Sequence, residues 1–257
     1  MRRMNAPTAT PSSERWQRFF SHPAYVRFAS VILDPERTAR EVAAIRRVLA
    51  LESGARVLDL GCGYGRIAVP LARAGCRVTG LDASEPMLEL ARERADAEGV
   101  ELELVHTDMR ELGAIEEFDA VVSVGTALGY VEARHGDAAA IAAAARALVP
   151  GGRLLIDTEN REAKLRMEPQ VSFPMAGTTV WCDRSYDHLT GRWHERMSWG
   201  EGETADEAEY SLRLYTAVEV VDMLDAAGLR VDGLWADFDE APFATDAARM
   251  AVRAVKR

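Results

Sequence analysis

The sequence predicts an α/β fold: a seven-stranded, mostly parallel sheet with helices on both faces, and a small antiparallel β flap. From residue 56 onward, short apolar runs alternate with amphipathic stretches at the spacing of strand–helix units, which is typical of a parallel sheet. Residues 158–215 instead alternate with period two and are rich in Trp, Tyr, Thr and Val, which predicts antiparallel strands. With 257 residues and 48% hydrophobic side chains, the chain can bury one sizeable core.

The first 33 residues contain a tail and an aromatic entry segment. Residues 1–14 are small, polar and proline-containing, so we expect them to be disordered. Residues 15–33 place aromatic side chains among charges, and Pro23 interrupts any single helix there. A helix start follows at Asp34, with Pro35 in the first turn and apolar positions at helical spacing behind it.

Seven strands are predicted for the main sheet. Five precede residue 158, namely RVLDL (56–60), RVTGLD (77–82), ELELVHTD (101–108), FDAVVSV (118–124) and RLLID (153–157). A helix at residues 217–228 and strands near 231–238 and 249–255 return to the same core. We therefore expect one domain over residues 15–157 and 216–257. The flap, residues 158–215, should hold three strands, at 178–187, 191–199 and 208–215.

Composition limits the partners and the compartment. The net charge of -10 and the absence of a dense Lys or Arg run disfavour a nucleic-acid partner, because phosphates are held mainly by basic side chains. No run approaches the ~18 apolar residues of a membrane span, and the N-terminus lacks the apolar core of a signal peptide. Cys62, Cys76 and Cys182 are odd in number and form no CxxC pair, which favours reduced thiols. We expect a soluble, cytoplasmic protein with a small-molecule substrate; a homodimer or a partner subunit stays open.

The stretch VLDLGCGYGR, residues 57–66, joins a buried strand to a helix through a glycine-rich turn. Gly61, Gly63 and Gly65 permit positive φ and a close approach of backbone to a ligand, although a plain tight corner is the alternative. Asp82 ends the second strand 17 residues after Gly65, where an acid can accept both ribose hydroxyls. Loop and acid together predict a ligand that contains adenosine.

The details of this loop discriminate between adenosine ligands. The dinucleotide fingerprint GxGxxG would require glycine at position 66, where this chain has Arg66. No GxxxxGK[ST] phosphate loop occurs. The hypothesis of a nicotinamide-dependent oxidoreductase is therefore supported only by the glycine loop and Asp82.

Several segments, taken in order, resemble the motifs of class I S-adenosylmethionine-dependent methyltransferases. They are VLDLGCGYGR, VTGLDAS, HTDMREL, FDAVVSVGTALGYVE and ALVPGGRLLID, which together cover roughly residues 56–157. ADFDEAPFATDAARM, residues 236–250, is similar to the ending of many small bacterial members. The resemblance implies a Rossmann-like sheet whose seventh strand is antiparallel, and S-adenosylmethionine as cofactor.

The resemblance also implies a cofactor site. Asp59 and the loop residues Gly61, Cys62, Gly63 and Gly65 would lie against the methionine part, and Asp82 would bind the ribose hydroxyls. Ala83 would lie beside the adenine, Asp108 would accept from its amino group, and Met109 would pack on the ring. Ser123, Val124 and Gly125 would close the pocket, with Tyr25 in a lid over it. For Met109 and Val124, ordinary core packing is the alternative.

Methyl transfer requires little catalytic machinery, because in-line positioning can supply much of the rate. The candidate catalytic residues are Tyr130, Glu159 and Asn160, which follow the fourth and fifth strands. His194, Arg196 and Tyr215 are candidates for substrate contacts; His194 and Arg196 share one face of a flap strand whose direction is open. DTEN, residues 157–160, lacks a third carboxylate partner, so we expect no metal.

The leading hypothesis is a methyltransferase that acts on O or N of a small molecule, a secondary-metabolite intermediate, by in-line displacement. The alternative keeps the cofactor pocket but not the methyl transfer, as in a ring-closing enzyme or a cofactor-binding partner subunit. The nicotinamide-dependent oxidoreductase is a third hypothesis.

Overall fold

The computed structural model describes residues 13–133 and 135–257, within which eleven strands and eight α-helices form. The strands are β1 (Arg56–Leu60), β2 (Arg77–Asp82), β3 (Glu103–His106), β4 (Phe118–Ser123), β5 (Leu148–Glu159), β6 (Gln170–Met175), β7 (Thr178–Asp187), β8 (Arg192–Trp199), β9 (Asp206–Arg213), β10 (Leu229–Trp235) and β11 (Arg249–Lys256). The helices are α1 (Ser13–Ser21), α2 (Pro23–Ile32), α3 (Pro35–Leu49), α4 (Ala68–Arg73), α5 (Glu85–Glu98), α6 (Gly136–Ala147), α7 (Arg161–Lys164) and α8 (Ala217–Ala226). Residues 1–12 of the predicted tail lie outside the described residues.

The main sheet has seven strands in the order β10-β11-β5-β4-β1-β2-β3. Six strands run in the same direction, and β11 runs antiparallel to both of its neighbours, β5 and β10. This confirms the predicted Rossmann-like fold with an antiparallel seventh strand. The strand order reverses between β1 and β4, and in such sheets ligands bind at the carboxyl ends beside that point.

Alternating side chains on the strands build an apolar layer on each face of the sheet. In β1, Val57 packs with Ile45 of α3 and Leu71 of α4, whereas Leu58 faces the layer formed by α6 and α8. These positions are at most slightly exposed, as period-two strands between helix layers require. The predicted doubly covered sheet is confirmed.

A second sheet contains β6, β7, β8 and β9 in that order, all antiparallel. The sequence predicts three of these strands and omits β6, whose Pro174 weakens a strand pattern. Proline is tolerated there because β6 is an edge strand. The inner face of this sheet packs on α2, where the rings of Phe28 and Trp199 meet edge to face at 5.1 Å.

The entry segment forms two helices, α1 and α2, that break at Pro23 as predicted. His22 caps α2, since its Nδ1 accepts a hydrogen bond from the Ala24 N–H at 3.1 Å. Phe19 of α1 contacts Tyr210 of β9, with 5.0 Å between ring centroids. The two helices therefore bridge the second sheet and the carboxyl edge of the main sheet.

Within residues 13–133 and 135–257, no helix has both the length and the apolar character needed to cross a membrane.

Candidate functional site

A cavity lies at the carboxyl ends of β1, β2, β3 and β4, beneath α1 and α2. Most of the predicted cofactor residues line it, and so does the predicted catalytic Tyr130. The lining members of the predicted set are Tyr25, Asp59, Gly61, Cys62, Gly63, Asp82, Ala83, Asp108, Met109, Val124, Gly125 and Tyr130. The topology thus brings together residues that are far apart in the chain.

Asp59, the penultimate residue of β1, has a buried carboxyl group that is incompletely hydrogen-bonded. The residue is 2% exposed, and its Oδ2 has no hydrogen-bond partner among the described residues. Burial raises its pKa to about 7, while the nearby Arg66 and a hydrogen bond from the Ala68 N–H act to lower it. A buried acceptor without a partner is costly, so this oxygen is a candidate ligand contact.

The glycine loop approaches the cavity closely at Gly61 and Gly63. Both have positive φ, 81° and 53°, which favours glycine. A Cβ on Gly61 would stand 2.6 Å from the Ala127 Cβ, whereas a Cβ on Gly63 would meet nothing within 4 Å. Gly63, which lines the cavity, therefore has open space where an added side chain would stand. Cys62 lines the same wall, and burial raises the pKa of its thiol well above the ordinary range.

Asp82 is held by two backbone donors. Its Oδ2 accepts from the Gly63 N–H at 2.8 Å and its Oδ1 from the Ser84 N–H at 2.9 Å. Burial raises the pKa of this carboxyl, and hydrogen bonds from the backbone N–H groups of Gly63, Ser84 and Ala83 oppose the shift. Each oxygen keeps a further lone pair, so the carboxylate can accept two more hydrogen bonds.

Asp108 and Met109 form the end of the cavity below β3. The Asp108 carboxylate binds Arg110 in a fork, at 2.8 Å to Nε and 2.6 Å to Nη2, which lowers the Asp108 pKa. Met109 Cε lies 3.7 Å from the position that a Gly61 Cβ would occupy. This end therefore offers an ionised carboxylate beside a flexible apolar side chain.

The turn after β4 is pinned from behind by Asp157. Its Oδ2 accepts from the Gly125 N–H at 2.9 Å, and its carboxylate forms a fork with Arg249 at 2.8 and 2.5 Å. The Thr126 N–H donates to the Asp157 carbonyl at 3.1 Å. Thr126 has a φ of 66°, which is strained for a β-branched residue, so the surrounding contacts must hold this turn.

Two predicted cofactor residues stand behind the cavity wall. Gly65 and Ser123 are absent from the lining. A Cβ on Gly65 would stand 3.1 Å from Val69 Cγ2 and 3.2 Å from Ala91 Cβ, so this glycine allows α4 and α5 to approach. Ser123 is 1% exposed within β4. Gly65 therefore serves helix packing, whereas the Ser123 Oγ has no hydrogen-bond partner among the described residues and its predicted role stays a prediction.

Tyr25 and Tyr130 bring two phenols to the cavity beneath the N-terminal helices. Phe20 stands between their rings, with centroids at 4.9 Å from Tyr25 and 5.0 Å from Tyr130. Burial raises the pKa of both phenols well above the ordinary range, so both stay protonated. Neither hydroxyl bonds to another described residue, which leaves both able to serve a ligand.

Tyr130 is held in place by the second sheet. The buried Arg192 of β8 donates to the backbone carbonyls of Gly129, Tyr130 and Val131 at 3.2–3.3 Å. Gly129 has a φ of 103°, and a Cβ there would stand 2.5 Å from Leu212 Cδ1. The loop that carries Tyr130 is thus docked on β8 and β9.

Neither of the other two predicted catalytic residues lines the cavity. Asn160 is 1% exposed; it accepts from the Glu162 N–H and donates to the carbonyls of Ala244 and Ala247. Its amide holds the chain near Ala244 and Ala247 against the start of α7, and a catalytic role for Asn160 stays a prediction. Glu159 lies 3.4 Å from Lys164 Nζ and 3.7 Å from Arg249 Nη1.

The predicted substrate residues also lie elsewhere. The Tyr215 hydroxyl donates to the buried Asp137 at 2.5 Å, so it braces the loop rather than facing the cavity. His194 and Arg196 alternate with the buried Trp193 and Glu195 and occupy the opposite face of β8. The open question about that face is answered: the inner side chains are Trp193 and Glu195.

The sequence pattern identifies Arg66 only as a departure from the dinucleotide fingerprint, yet the structure places it in the cavity. Further lining residues that the sequence analysis does not single out include Trp16, Phe20, Tyr64 and Thr126. Aromatic spacing in the entry segment hinted at a lid but could not specify which rings reach the cavity. Helix packing decides that.

Comparison with known proteins gives a consistent result. Residues 57–152 match the model of a family described as a methyltransferase domain. A putative methyltransferase YqeM of Bacillus subtilis is 28% identical over 214 residues, covering 80% of this chain and 86% of that protein. The ubiquinone biosynthesis O-methyltransferase of Dinoroseobacter shibae is 40% identical over 112 residues, which are 43% of this chain. The match spans only 44% of that relative's own length.

Solved structures share the architecture over most of the chain. The CcbJ methyltransferase from Streptomyces caelestis is 25% identical with a TM-score of 0.76, covering 84% of this chain and 89% of that one. An S-adenosylmethionine-dependent methyltransferase from Clostridium acetobutylicum, 16% identical, superposes with a TM-score of 0.79 over 91% of this chain and 99% of its own. At 16% identity, the second match supports only the fold.

Proposed function

Since the chain carries a methyltransferase domain of the class I, S-adenosylmethionine-dependent type, we propose that it methylates O or N of a small molecule. The reaction is an in-line displacement at the cofactor's methyl group. The observation that carries this proposal is the buried Asp59 Oδ2, which has no hydrogen-bond partner among the described residues and belongs to a residue of the cavity lining. Polar groups left without partners in a native site call for a ligand that completes them.

The cavity residues fit this cofactor. Asp59 supplies an acceptor for an ammonium or for the field of a sulfonium, and Asp82 keeps two lone pairs for ribose hydroxyls. Asp108 offers an ionised carboxylate to an amino group. Three carboxylates in one lining favour a cationic ligand and disfavour the pyrophosphate of a dinucleotide.

When bound, S-adenosylmethionine supplies an electrophilic methyl group on a positively charged sulfur. The protein's own task is to hold the acceptor atom in line with that group and to exclude water. Correct positioning contributes up to roughly 7–11 kcal/mol to such reactions. The aromatic cover of Trp16, Phe20 and Tyr25 shields the cavity from solvent.

Tyr130 is the residue we assign to acceptor positioning. It lines the cavity, its backbone is fixed by Arg192, and its hydroxyl stays protonated. A neutral phenol can donate to or accept from the acceptor but cannot serve as a base near neutral pH. Tyr25 presents a second neutral hydroxyl to the same space, so the two phenols together can orient an O or N nucleophile.

The proposal also covers the domain organisation of the chain, its acceptor class, its location and its assembly. Residues 15–157 and 216–257 form the cofactor domain, and residues 158–215 the flap that shapes the acceptor side. A secondary-metabolite intermediate as acceptor, a cytoplasmic location and a homodimer or partner subunit belong to the same proposal. The local 40% identity to a ubiquinone biosynthesis O-methyltransferase supports a small-molecule acceptor.

The test is calorimetry with S-adenosylmethionine and S-adenosylhomocysteine, followed by incubation with small hydroxylated and amino compounds. We expect dissociation constants in the micromolar range, loss of binding in Asp82→Ala, and a mass-spectrometric product one CH₂ unit heavier than its acceptor. A matched control is Asp119→Ala, whose carboxylate pairs with Arg56 outside the cavity lining. Absence of binding would refute the proposal. Binding of the cofactor without any methylated acceptor among the products would favour the ring-closing alternative.

A further inference from the structure

We infer that the hydroxyl of Thr126 binds the nucleophilic group of the methyl acceptor, and that this group carries a hydrogen atom, as in a hydroxyl or a primary or secondary amine. The inference rests on the proposed function and specifies which acceptors the site can take. Thr126 follows β4 and lines the cavity. Two unfavourable features meet at this residue, in its backbone and in its side chain, and such features are typical of functional positions.

The first feature is the backbone conformation of Thr126. Its φ of 66° lies in the left-handed region, which is disfavoured for a side chain branched at Cβ. Glycine or asparagine would meet a purely conformational demand with less strain. The Thr126 N–H donates to the Asp157 carbonyl at 3.1 Å, and the Gly125 N–H donates to the Asp157 carboxylate at 2.9 Å. These backbone hydrogen bonds hold the turn and would form equally well with another residue at position 126.

The second feature is the side-chain hydroxyl. Thr126 is 5% exposed, and its Oγ1 has no hydrogen-bond partner within the described part of the chain. A buried hydroxyl in this state destabilises the free protein, and a ligand that completes it removes the penalty. Of the described residues that line the cavity, Asp59 and Thr126 are the two whose buried side-chain oxygens lack a partner. Since we assign Asp59 to the cofactor, Thr126 is available for the second ligand of the reaction, the acceptor.

The surroundings of Thr126 place it between the cofactor wall and Tyr130. On one side, the Ala127 Cβ lies 2.6 Å from the position that a Cβ on Gly61 would occupy, so the turn packs on the glycine loop. On the other side, the same loop continues to Tyr130, which also lines the cavity and to which we assign acceptor positioning. Thr126 therefore stands where the cofactor and the acceptor are expected to meet.

The charge of the lining changes at this loop. The chain at the ends of β1, β2 and β3 contributes one carboxylate each, from Asp59, Asp82 and Asp108. The lining residues within 124–131, all of them described, include no charged side chain, and their polar side chains are the hydroxyls of Thr126 and Tyr130. A buried cation without a nearby opposite charge is costly, so this wall suits a nucleophile that is uncharged when it binds.

The requirements of the displacement decide the direction of the hydrogen bond. The nucleophile must direct a lone pair at the methyl carbon, and a hydrogen bond that it accepted would compete for that lone pair. A hydrogen bond that the nucleophile donates to Thr126 Oγ1 leaves the lone pair free and fixes its orientation. An uncharged nucleophile that donates must carry hydrogen, which admits hydroxyls and primary or secondary amines and excludes tertiary amines.

The experiment combines steady-state kinetics, calorimetry and thermal unfolding on the full chain. The acceptor is a compound of the hydroxylated and amino panel that the unaltered protein methylates, and the panel includes secondary amines with their N-methylated tertiary counterparts. Thr126→Val removes the hydroxyl and keeps the branched shape, Thr126→Ala removes it with less strain, and Thr126→Ser keeps it. Thr158→Val, at a buried threonine of β5 outside the cavity lining, is the matched control.

We expect Thr126→Val to lower kcat/KM for the acceptor by about 5- to 150-fold, the range for a buried polar group that loses its partner. Its Kd for S-adenosylhomocysteine should stay unchanged, and its Tm should not fall, because no hydrogen bond within the described chain is lost. Thr126→Ala should lose a similar factor in kcat/KM, whereas Thr126→Ser should keep most of the activity. Thr158→Val should leave the kinetics unchanged, and tertiary amines should stay unmethylated.

An unchanged kcat/KM in Thr126→Val and Thr126→Ala would overturn the inference and leave the proposed function intact. Weaker binding of S-adenosylhomocysteine by Thr126→Val would assign the hydroxyl to the cofactor, and methylation of a tertiary amine would remove the need for hydrogen, so either result also overturns it. A Tm of Thr126→Val lowered by more than about 2–4 °C, or failure of that variant to fold, would show that the hydroxyl has a structural role instead. Cofactor binding without any methylated panel compound would refute the proposed function and the inference with it.

Discussion

Replacing Gly63 with alanine should weaken cofactor binding and cause a modest loss of stability. The new Cβ would meet no atom within 4 Å, so the folded chain has room for it. Its φ of 53° lies in the left-handed region, where a residue other than glycine is destabilised by about 1–2 kcal/mol. For a chain of 257 residues this corresponds to a fall in Tm of about 2–8 °C.

Gly63 lines the cavity, so we expect the added methyl group to overlap a bound ligand. Overpacking by one methyl group costs about 1–3 kcal/mol, which is about a 5- to 150-fold rise in Kd. The assay is calorimetry with S-adenosylhomocysteine alongside thermal unfolding. Gly99→Ala is the matched control, because Gly99 has a φ of 63° and open space, but caps α5 away from the cavity.

Both variants should therefore lose similar stability, and Gly63→Ala alone should lose affinity. Equal affinity in the two variants would show that the ligand does not approach Gly63 and would refute the assignment of this wall. A much larger loss of stability in Gly63→Ala would contradict the open geometry on which the argument depends.

Three further outcomes follow from the geometry. The Kd for S-adenosylhomocysteine should fall as pH rises through about 7, because Asp59, with its pKa raised to about 7, must ionise to receive an ammonium; Asp59→Asn should flatten this titration. Tyr215→Phe should lower the free energy of unfolding by about 1–3 kcal/mol in urea, with a larger loss at high pH, where the buried Asp137 is ionised and left without this donor. Gly129→Ala should unfold at lower denaturant by about 2–4 kcal/mol, since its Cβ would collide with Leu212 at a φ of 103°, whereas a result near zero would contradict that contact.

The sequence predicts the fold and most of the residues that line the cavity because those signals are local. The glycine loop and Asp82 follow their strands within a few residues, so parallel topology alone brings them to one edge. For the residues expected to contact the methyl acceptor, no comparable rule of topology predicts which side chains meet. Asn160 stands at the expected strand end, yet its amide is consumed by the Ala244 and Ala247 carbonyls, which no spacing could reveal.

The sequence also does not predict which face of the second sheet points inward. Period two places His194 and Arg196 on one face and Trp193 and Glu195 on the other, but the choice of inner face depends on the packing of α2. The same limit applies to Arg66, whose neighbours Glu41 and Asp59 come from different elements. Long-range packing decides these cases, and a single sequence does not encode it in any short pattern.

The docking of the Tyr130 loop on β8 and β9 has a consequence for exchanging parts between relatives. Arg192 donates to the carbonyls of that loop, and Gly129 admits Leu212 where any side chain would collide. A flap transplanted from another protein would therefore displace Tyr130 unless it brought its own matching arginine and its own glycine partner in the loop. The second sheet and the Tyr130 loop should therefore be exchanged together, and we expect acceptor preference to be transferred only when both are exchanged.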